Sequence, residues 1–348
     1  MNTILSLLML IHIISGPLWY DDAGDVINAH GGGMMQNDGT YYWYGEYRGC
    51  DGRRLGVTCY TSTDLHKWSN RGLVLKTTSG AGELEQGCII ERPKVVYNAK
   101  TRKYVLWFHH ELKGKGYGSA HAAVAISDNP LGPFRLIRSS RVNAGINPVG
   151  MEVLAEYDAS LKPWTPEWTD AVKKGMITDR DKMGGQMSRD MTIFVDDDGK
   201  AYHIYSSEEN LTLQIAELTD DYADYTGKYV RVAPCGHNEA PAIFKRDGIY
   251  WMITSGCTGW APNAARLFRA NNIFGPWQQL PNPCVGADSL TTFHAQGTYI
   301  LPIANGQYIF MADRWNPNQL HDSRYIWLPI KFGIDGIPSI EWASDWSF

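Results

Sequence analysis

The chain has 348 residues, 44% hydrophobic, 12% aromatic and 20% charged, with 32 basic against 37 acidic side chains for a net charge of −5. That balance supports a sizeable core and excludes disordered and fibrous classes. It also lacks the basic face that nucleic-acid binding requires, and past residue 16 no apolar run is long enough to span a membrane.

Residues 4–14 are an apolar stretch followed by Ser15-Gly16-Pro17. Its length fits the h-region of a secretory signal peptide, although no Lys or Arg precedes it; an apolar first strand is the alternative. The expectation is a leader over residues 1–16, a secreted or periplasmic location and a single domain over 17–348. Six cysteines (Cys50, Cys59, Cys88, Cys235, Cys257, Cys284) have no zinc-ligand spacing. They are open to three disulfides or to buried free thiols, with Cys50 and Cys59 close enough to staple one loop.

From residue 30 onward one pattern recurs five times: a polar residue, a short apolar run, a turn, and an aromatic-rich run. The polar residues are His30, Glu91, Asp190, Glu239 and Gln296, and they precede Tyr42, Tyr104, Tyr202, Tyr250 and Tyr308 by 12, 13, 12, 11 and 12 positions. Asn/Asp-Gly turns at 38–39, 198–199, 247–248 and 305–306 sit between apolar runs and read as hairpins. The tyrosines stand 62, 98, 48 and 58 residues apart. Units of about 50 residues with four short strands each predict a β-propeller, here all-β and five-bladed. A β-sandwich is the alternative. The long gap predicts an insertion at about 138–186, where proline, glycine and charge replace the strand pattern; such segments are often lids or binding loops.

In a propeller the innermost strands run the same way, so the five opening residues form a ring at one mouth of the axis. Three converging carboxyls (Glu91, Asp190, Glu239) repel one another and raise at least one pKa, which is what general acid catalysis needs. Capping of blades, or a structural calcium on the axis, is the competing explanation. His30, among three glycines, is open to a metal, a substrate or a core role.

Glu239-Ala-Pro-Ala-Ile-Phe-Lys and Arg189-Asp-Met-Thr-Ile-Phe-Val-Asp-Asp-Asp-Gly resemble the acid-bearing and pKa-modulating blades of glycoside hydrolase family 43, whose members are five-bladed and inverting. The resemblance covers most of the chain outside the insertion. The first blade departs from it: that family's base aspartate has no counterpart in Ile27-Asn-Ala-His-Gly-Gly-Gly33. Together with Glu91-Arg-Pro-Lys, Gly256-Cys-Thr-Gly-Trp260 and Asp322-Ser-Arg-Tyr-Ile-Trp327, this is similar to the exo-β-1,3-galactanase branch. The resemblance implies release of galactose from β-1,3-galactan, with Glu239 as acid, Asp190 as its modulator, and Gln296 with Glu91 positioning water. It further implies sugar contacts from Tyr117, Asn210 and Thr258, while Glu208 is a candidate from its place in Tyr205-Ser-Ser-Glu-Glu. No catalytic cofactor or metal, no nucleic-acid or membrane partner, and a monomer acting on a poly- or oligosaccharide are expected. An arabinofuranosidase, xylosidase or galactofuranosidase of the same fold, or a non-catalytic sugar-binding propeller, are the alternatives.

Overall fold

The computed structural model describes residues 11–303 and 306–347. Five antiparallel sheets follow one another along the chain, each in simple up-and-down order. Blade 1 starts with His30–Asn37, blade 2 with Ile89–Asn98, blade 3 with Met191–Val195, blade 4 with Asn238–Arg246 and blade 5 with Gln296–Ile303. The expected hairpins open each blade, with Asn37 facing Thr40 across the first turn and Arg246 facing Ile249 across the fourth. Asn305 of the fifth expected turn lies outside the described residues, although Ile303 pairs with Gln307 across it.

Each pair of adjacent blades encloses its own apolar core. Val57, Cys59, Leu106 and Phe108 fill the space between blades 1 and 2, and Ile204, Ile215, Met252 and Phe268 that between blades 3 and 4. The space between blades 5 and 1 is the aromatic one. Trp43 lies edge-on to Trp327 at 4.9 Å and to Trp68 at 5.3 Å, with Trp19 at 4.8 Å from Trp327. This is where the ring closes between distant ends of the chain, and edge-to-face pairs add attraction beyond the area they bury. Much of the tryptophan content is therefore closure.

A two-stranded sheet seals the same seam: His12–Ile14 pairs with Asp345–Ser347, and Ile13 is fully buried. The last three residues of the apolar stretch 4–14 are thus placed in a strand; residues 1–10 lie outside the described part. The outer strand of blade 5, Pro338–Glu341, receives Cys284–Val285 as a parallel fifth strand. All six cysteines are free thiols, with Cys59, Cys88 and Cys284 buried.

The insertion begins slightly later than expected, because Arg135–Ser140 is the fourth strand of blade 2. Its base is pinched by a bridge between Val142 and Gln186. Inside are two short helices that a strand-based reading overlooks, α1 (Pro166–Lys173) and α2 (Met176–Asp181). Thr165 caps α1, Pro166 takes its first turn and Lys173 its last, an arrangement that suits helix ends. Trp168, Val172, Met176 and Ile177 pack on Leu211 of blade 3. Trp164 stacks on His237 at 4.9 Å. The insertion is a buttress on blade 3.

Candidate active site

In blades 1, 2 and 4 the residue after the ring position adopts a left-handed backbone: Gly31 (φ 58°), Arg92 (φ 55°) and Ala240 (φ 50°). Strand register slips immediately afterwards. Bulges of this kind bend a strand and re-aim its side chains. Each freed N–H is taken by a carboxylate from the preceding blade. Gly31 donates to Asp313 Oδ2 at 3.0 Å, Arg92 to Glu46 Oε1 at 2.9 Å, and Ala240 to Asp190 Oδ2 at 3.0 Å. Three acidic side chains at the axis therefore lock blade to blade. At Gly31 the left-handed φ of 58° and a Cβ position only 2.2 Å from Glu46 Oε1 both favour glycine.

The bulges open a cavity of about 410 Å³ lined by Glu46, Arg48, Glu91, Arg92, His109, Tyr117, Arg189, Asp190, Asn210, Glu239, Gly259, Trp260, Gln296 and Trp315. Four ring residues thus meet, together with Tyr117 and Asn210. The other proposed contacts do not line it. His30 is fully buried, stacked on Tyr325 at 5.2 Å, with Trp315 beside it at 5.9 Å. Thr258 is turned into its own loop, donating to Ala261 O at 2.5 Å, while its neighbours Gly259 and Trp260 reach the cavity.

Glu208 is fully buried and anchors the insertion. It receives Nε and Nη2 of Arg231, both at 2.6 Å, and the hydroxyls of Thr178 and Thr212 at 2.9 Å. Arg231 also donates to Val172 O and Lys173 O at the end of α1. Glu208, Glu209 and Asn210 are three successive left-handed residues. Such a backbone persists only where its surroundings hold it, and here it delivers Asn210 Nδ2 to Glu239 Oε1 at 2.8 Å.

The two walls of the cavity differ in charge. On the blade 3–4 wall, burial, followed by the neighbouring Asp190 carboxylate, pushes Glu239 up to about 7, against smaller opposing effects of Arg92, Cys257 and Asn210. On the blade 1–2 wall, burial of Glu91 is overridden by His109, Arg48 and Arg54, which hold its carboxyl far below the usual range. Tyr117 donates to Glu91 Oε1 at 2.9 Å. His109 is itself lifted to about 9: burial opposes its charge, but Glu111 and Glu91 outweigh it.

Arg92 joins the walls. Its Nε and Nη2 form a two-pronged pair with Asp190 at 3.0 and 2.8 Å, and Nη2 also donates to Gln296 Oε1 at 2.6 Å. Trp315 Nε1 donates to the same oxygen at 3.1 Å, and Gln296 Nε2 donates to Ser255 Oγ at 2.9 Å.

Glu91, His109 and Asp190 bring ligand atoms within 4.8 Å of one another, but guanidinium groups and a protonated imidazole already compensate them, so a metal cation would meet repulsion. Among the inner strands of blades 1, 2 and 5 the buried Lys94 amine, its pKa lowered to about 7 by burial and by Arg92, donates to Gly31 O at 3.1 Å and Arg92 O at 3.3 Å, and so occupies carbonyl oxygens that a calcium there would need.

Glu46, Arg48, Arg92, His109, Arg189, Gly259, Trp260 and Trp315 are the lining residues that the sequence reading did not name as candidates. Glu46 and His109 stand directly across the strand pair from His30 and Glu91. A search for polar residues opposite each ring position would have found them.

One carboxyl held protonated near neutrality and another held ionised, in a small aromatic-walled cavity, is the equipment of a glycosidase. The model of glycosyl hydrolases family 43 matches residues 160–297. A family 43 β-1,3-galactosidase, BT3683, solved with galactodeoxynojirimycin, is 57% identical over 97% of this chain and 100% of that one, with a TM-score of 0.94. The exo-β-1,3-galactanase 1,3Gal43A of Clostridium thermocellum is 38% identical over 96% of this chain and 66% of that one, with a TM-score of 0.80. The β-D-galactofuranosidase xynD of Aspergillus niger is 27% identical over 143 residues, 40% of this chain and 41% of that protein, so the match spans under half of this curated relative. The chain belongs to glycosyl hydrolase family 43, and hydrolysis of glycosidic bonds is its chemistry.

Proposed function

We propose that the protein is an exo-acting, inverting β-1,3-galactosidase that removes galactose from the non-reducing end of β-1,3-galactan, including arabinogalactan backbones. The observation that carries the reading is Glu239: half-buried, hydrogen-bonded by Asn210 and raised to about 7 beside Asp190, it is protonated when a leaving oxygen needs a proton. Likeness to galactan-cleaving relatives along almost the whole chain supports the sugar. A cavity of about 410 Å³ suits a chain end better than an extended groove suits a polymer interior.

In this reading Glu239 protonates the glycosidic oxygen, and Asp190 keeps that acid's proton affinity high while it grips Arg92. Glu91, fixed and ionised, accepts sugar hydroxyls together with Tyr117. Gln296, held by Arg92, Trp315 and Ser255, orients the water and the ring. Trp260 offers an apolar face to the sugar. The protein acts as a monomer, outside the cytoplasm, where such polymers are met.

The second reading keeps the fold and changes the sugar to a galactofuranoside, which the fungal relative supports. A purely binding role is disfavoured because binding has no use for a carboxyl kept protonated. The test is galactose release from β-1,3-galactobiose, run beside nitrophenyl galactofuranoside, arabinofuranoside and xyloside. Rapid release from the disaccharide is expected; turnover confined to the other three would remove the galactanase reading.

A further inference from the structure

We propose that Trp164, on the insertion, is a stacking platform for the part of the galactan chain that lies beyond the cleaved bond, and so makes the enzyme favour long chains over the disaccharide. The proposal rests on the β-1,3-galactosidase reading above and adds to it where the rest of the polymer runs.

An acid that protonates the glycosidic oxygen stands on the side of the leaving sugar. The sugars beyond the cleaved bond therefore pass the blade 3–4 wall, which carries Glu239. His237 lies just before the inner strand of blade 4, at its mouth end. The turn 208–211, between Ala201–Ser207 and Thr212–Leu218 of blade 3, is at the same end, since it delivers Asn210 to Glu239. Trp168, Val172, Met176 and Ile177 of the insertion pack on Leu211 of that turn. The insertion thus stands at the mouth, on the acid's side of it.

Trp164 is the side chain it presents there. The indole stacks on His237 at 4.9 Å, with ring planes 30° apart, and lies 5.1 Å from Trp168. Burial and then the Arg266 charge lower the pKa of His237, so the stacked rings are both uncharged. Even so, Trp164 is 60% exposed, the most of any tryptophan among the described residues, whereas Trp168 is turned inward. Its backbone is left-handed at φ 70°, which bulky residues rarely adopt and which lasts only where the surroundings hold it. The hold comes from Lys162 O, which accepts the N–H and the hydroxyl of Thr165 at 3.3 and 3.0 Å, and from the cap that Thr165 makes on α1. Arg231 ties the other end of α1 to blade 3. An outward aromatic face on a rigid support suits the apolar C–H face of a galactose ring. Between cavity and insertion, Glu209 pairs with Arg189 and with Arg180 of α2, both at 3.0 Å, a polar rim for the hydroxyls of the intervening sugars.

Stacking this far from the reacting carbon serves ground state and transition state alike, so it appears in KM. The test compares galactose release from β-1,3-galactobiose and β-1,3-galactohexaose. In the wild type kcat/KM for the hexaose should exceed that for the disaccharide about tenfold. Trp164→Ala should lose most of that ratio through KM, and Trp164→Tyr should keep it. Trp164→Gln, with a longer stem over His237, guards against misfolding of the alanine variant and should lose the ratio too. A structural defect would slow both substrates together and leave the ratio at its wild-type value. That result, or a wild type with no length advantage, would overturn the platform. So would a wild-type dimer in sedimentation that falls apart in Trp164→Ala while the ratio stays, since a second copy would then cover this face. If the wild type releases galactose from neither substrate, the galactanase reading fails and the galactan platform with it.

Discussion

Glu91 and Glu239 occupy the same place in two repeats of one fold, yet their surroundings drive them apart. Both lie near the start of an inner strand, both precede a left-handed residue, and both line one cavity. On the blade 1–2 wall Arg48, Arg54 and His109 gather on Glu91 and keep it ionised. On the blade 3–4 wall an amide meets Glu239, and an acidic neighbour helps burial to keep it protonated. The role of a ring residue thus comes from what the second strands and the loops bring to it; the repeat supplies only its place. Tuning two carboxyls in opposite directions is how one site holds an acid and an anion at the same pH.

The comparison can be broken most severely at Glu239. Glu239→Gln is expected to lower kcat on β-1,3-galactobiose by about 10³-fold or more while the disaccharide still binds, checked by steady-state rates and calorimetry. Its stability should move the other way. A carboxyl whose folded pKa is about 7, above its ordinary 4.5, contributes stability that is complete below pH 4.5 and lost as pH rises through 7. At pH 8 the Tm of Glu239→Gln should therefore equal or exceed that of the wild type, and a marked drop would contradict the account.

Next comes the support of the cation-poor wall. Glu208→Ala strands the buried Arg231 charge and should destabilise the protein by roughly 3 kcal/mol, read by denaturant unfolding. Pairing it with Arg231→Met should restore part of the loss. Asp190→Asn follows: kcat should fall about 10²-fold and the basic limb of its pH profile should shift to lower pH, because a neighbour that raises the Glu239 pKa is gone. The smallest effect is on the other wall. Glu91→Gln should raise KM about tenfold, a loss of roughly 1.4 kcal/mol, without moving the basic limb. A shifted basic limb there would show the two walls to be coupled.

The five-fold pattern was legible because hairpin turns and aromatic runs repeat locally, and all five ring positions lie within two residues of the start of an inner strand. The cavity was legible where it drew on those positions, as with Glu239 and Asp190, which line it. It was hidden where the third dimension decided. His30 shares the ring position, but neighbouring aromatic side chains bury it. Glu208 has the sequence dress of a site residue and instead pairs with Arg231, 23 positions away. Glu46 belongs to a second strand, and only its pairing opposite His30 and the bulge at Gly31 bring it to the axis. The two helices of the insertion are too short to declare a period of 3.6, although Thr165-Pro166-Glu167 carries a start signal.

The most direct test of the opposed walls is carboxyl ¹³C titration of glutamate-labelled protein, with Glu239→Gln and Glu91→Gln used to assign the two resonances. Glu239 should titrate near pH 7, and Glu91 should remain ionised down to the lowest pH at which the protein stays folded. Finding both resonances titrating together near pH 4.5 would contradict the account.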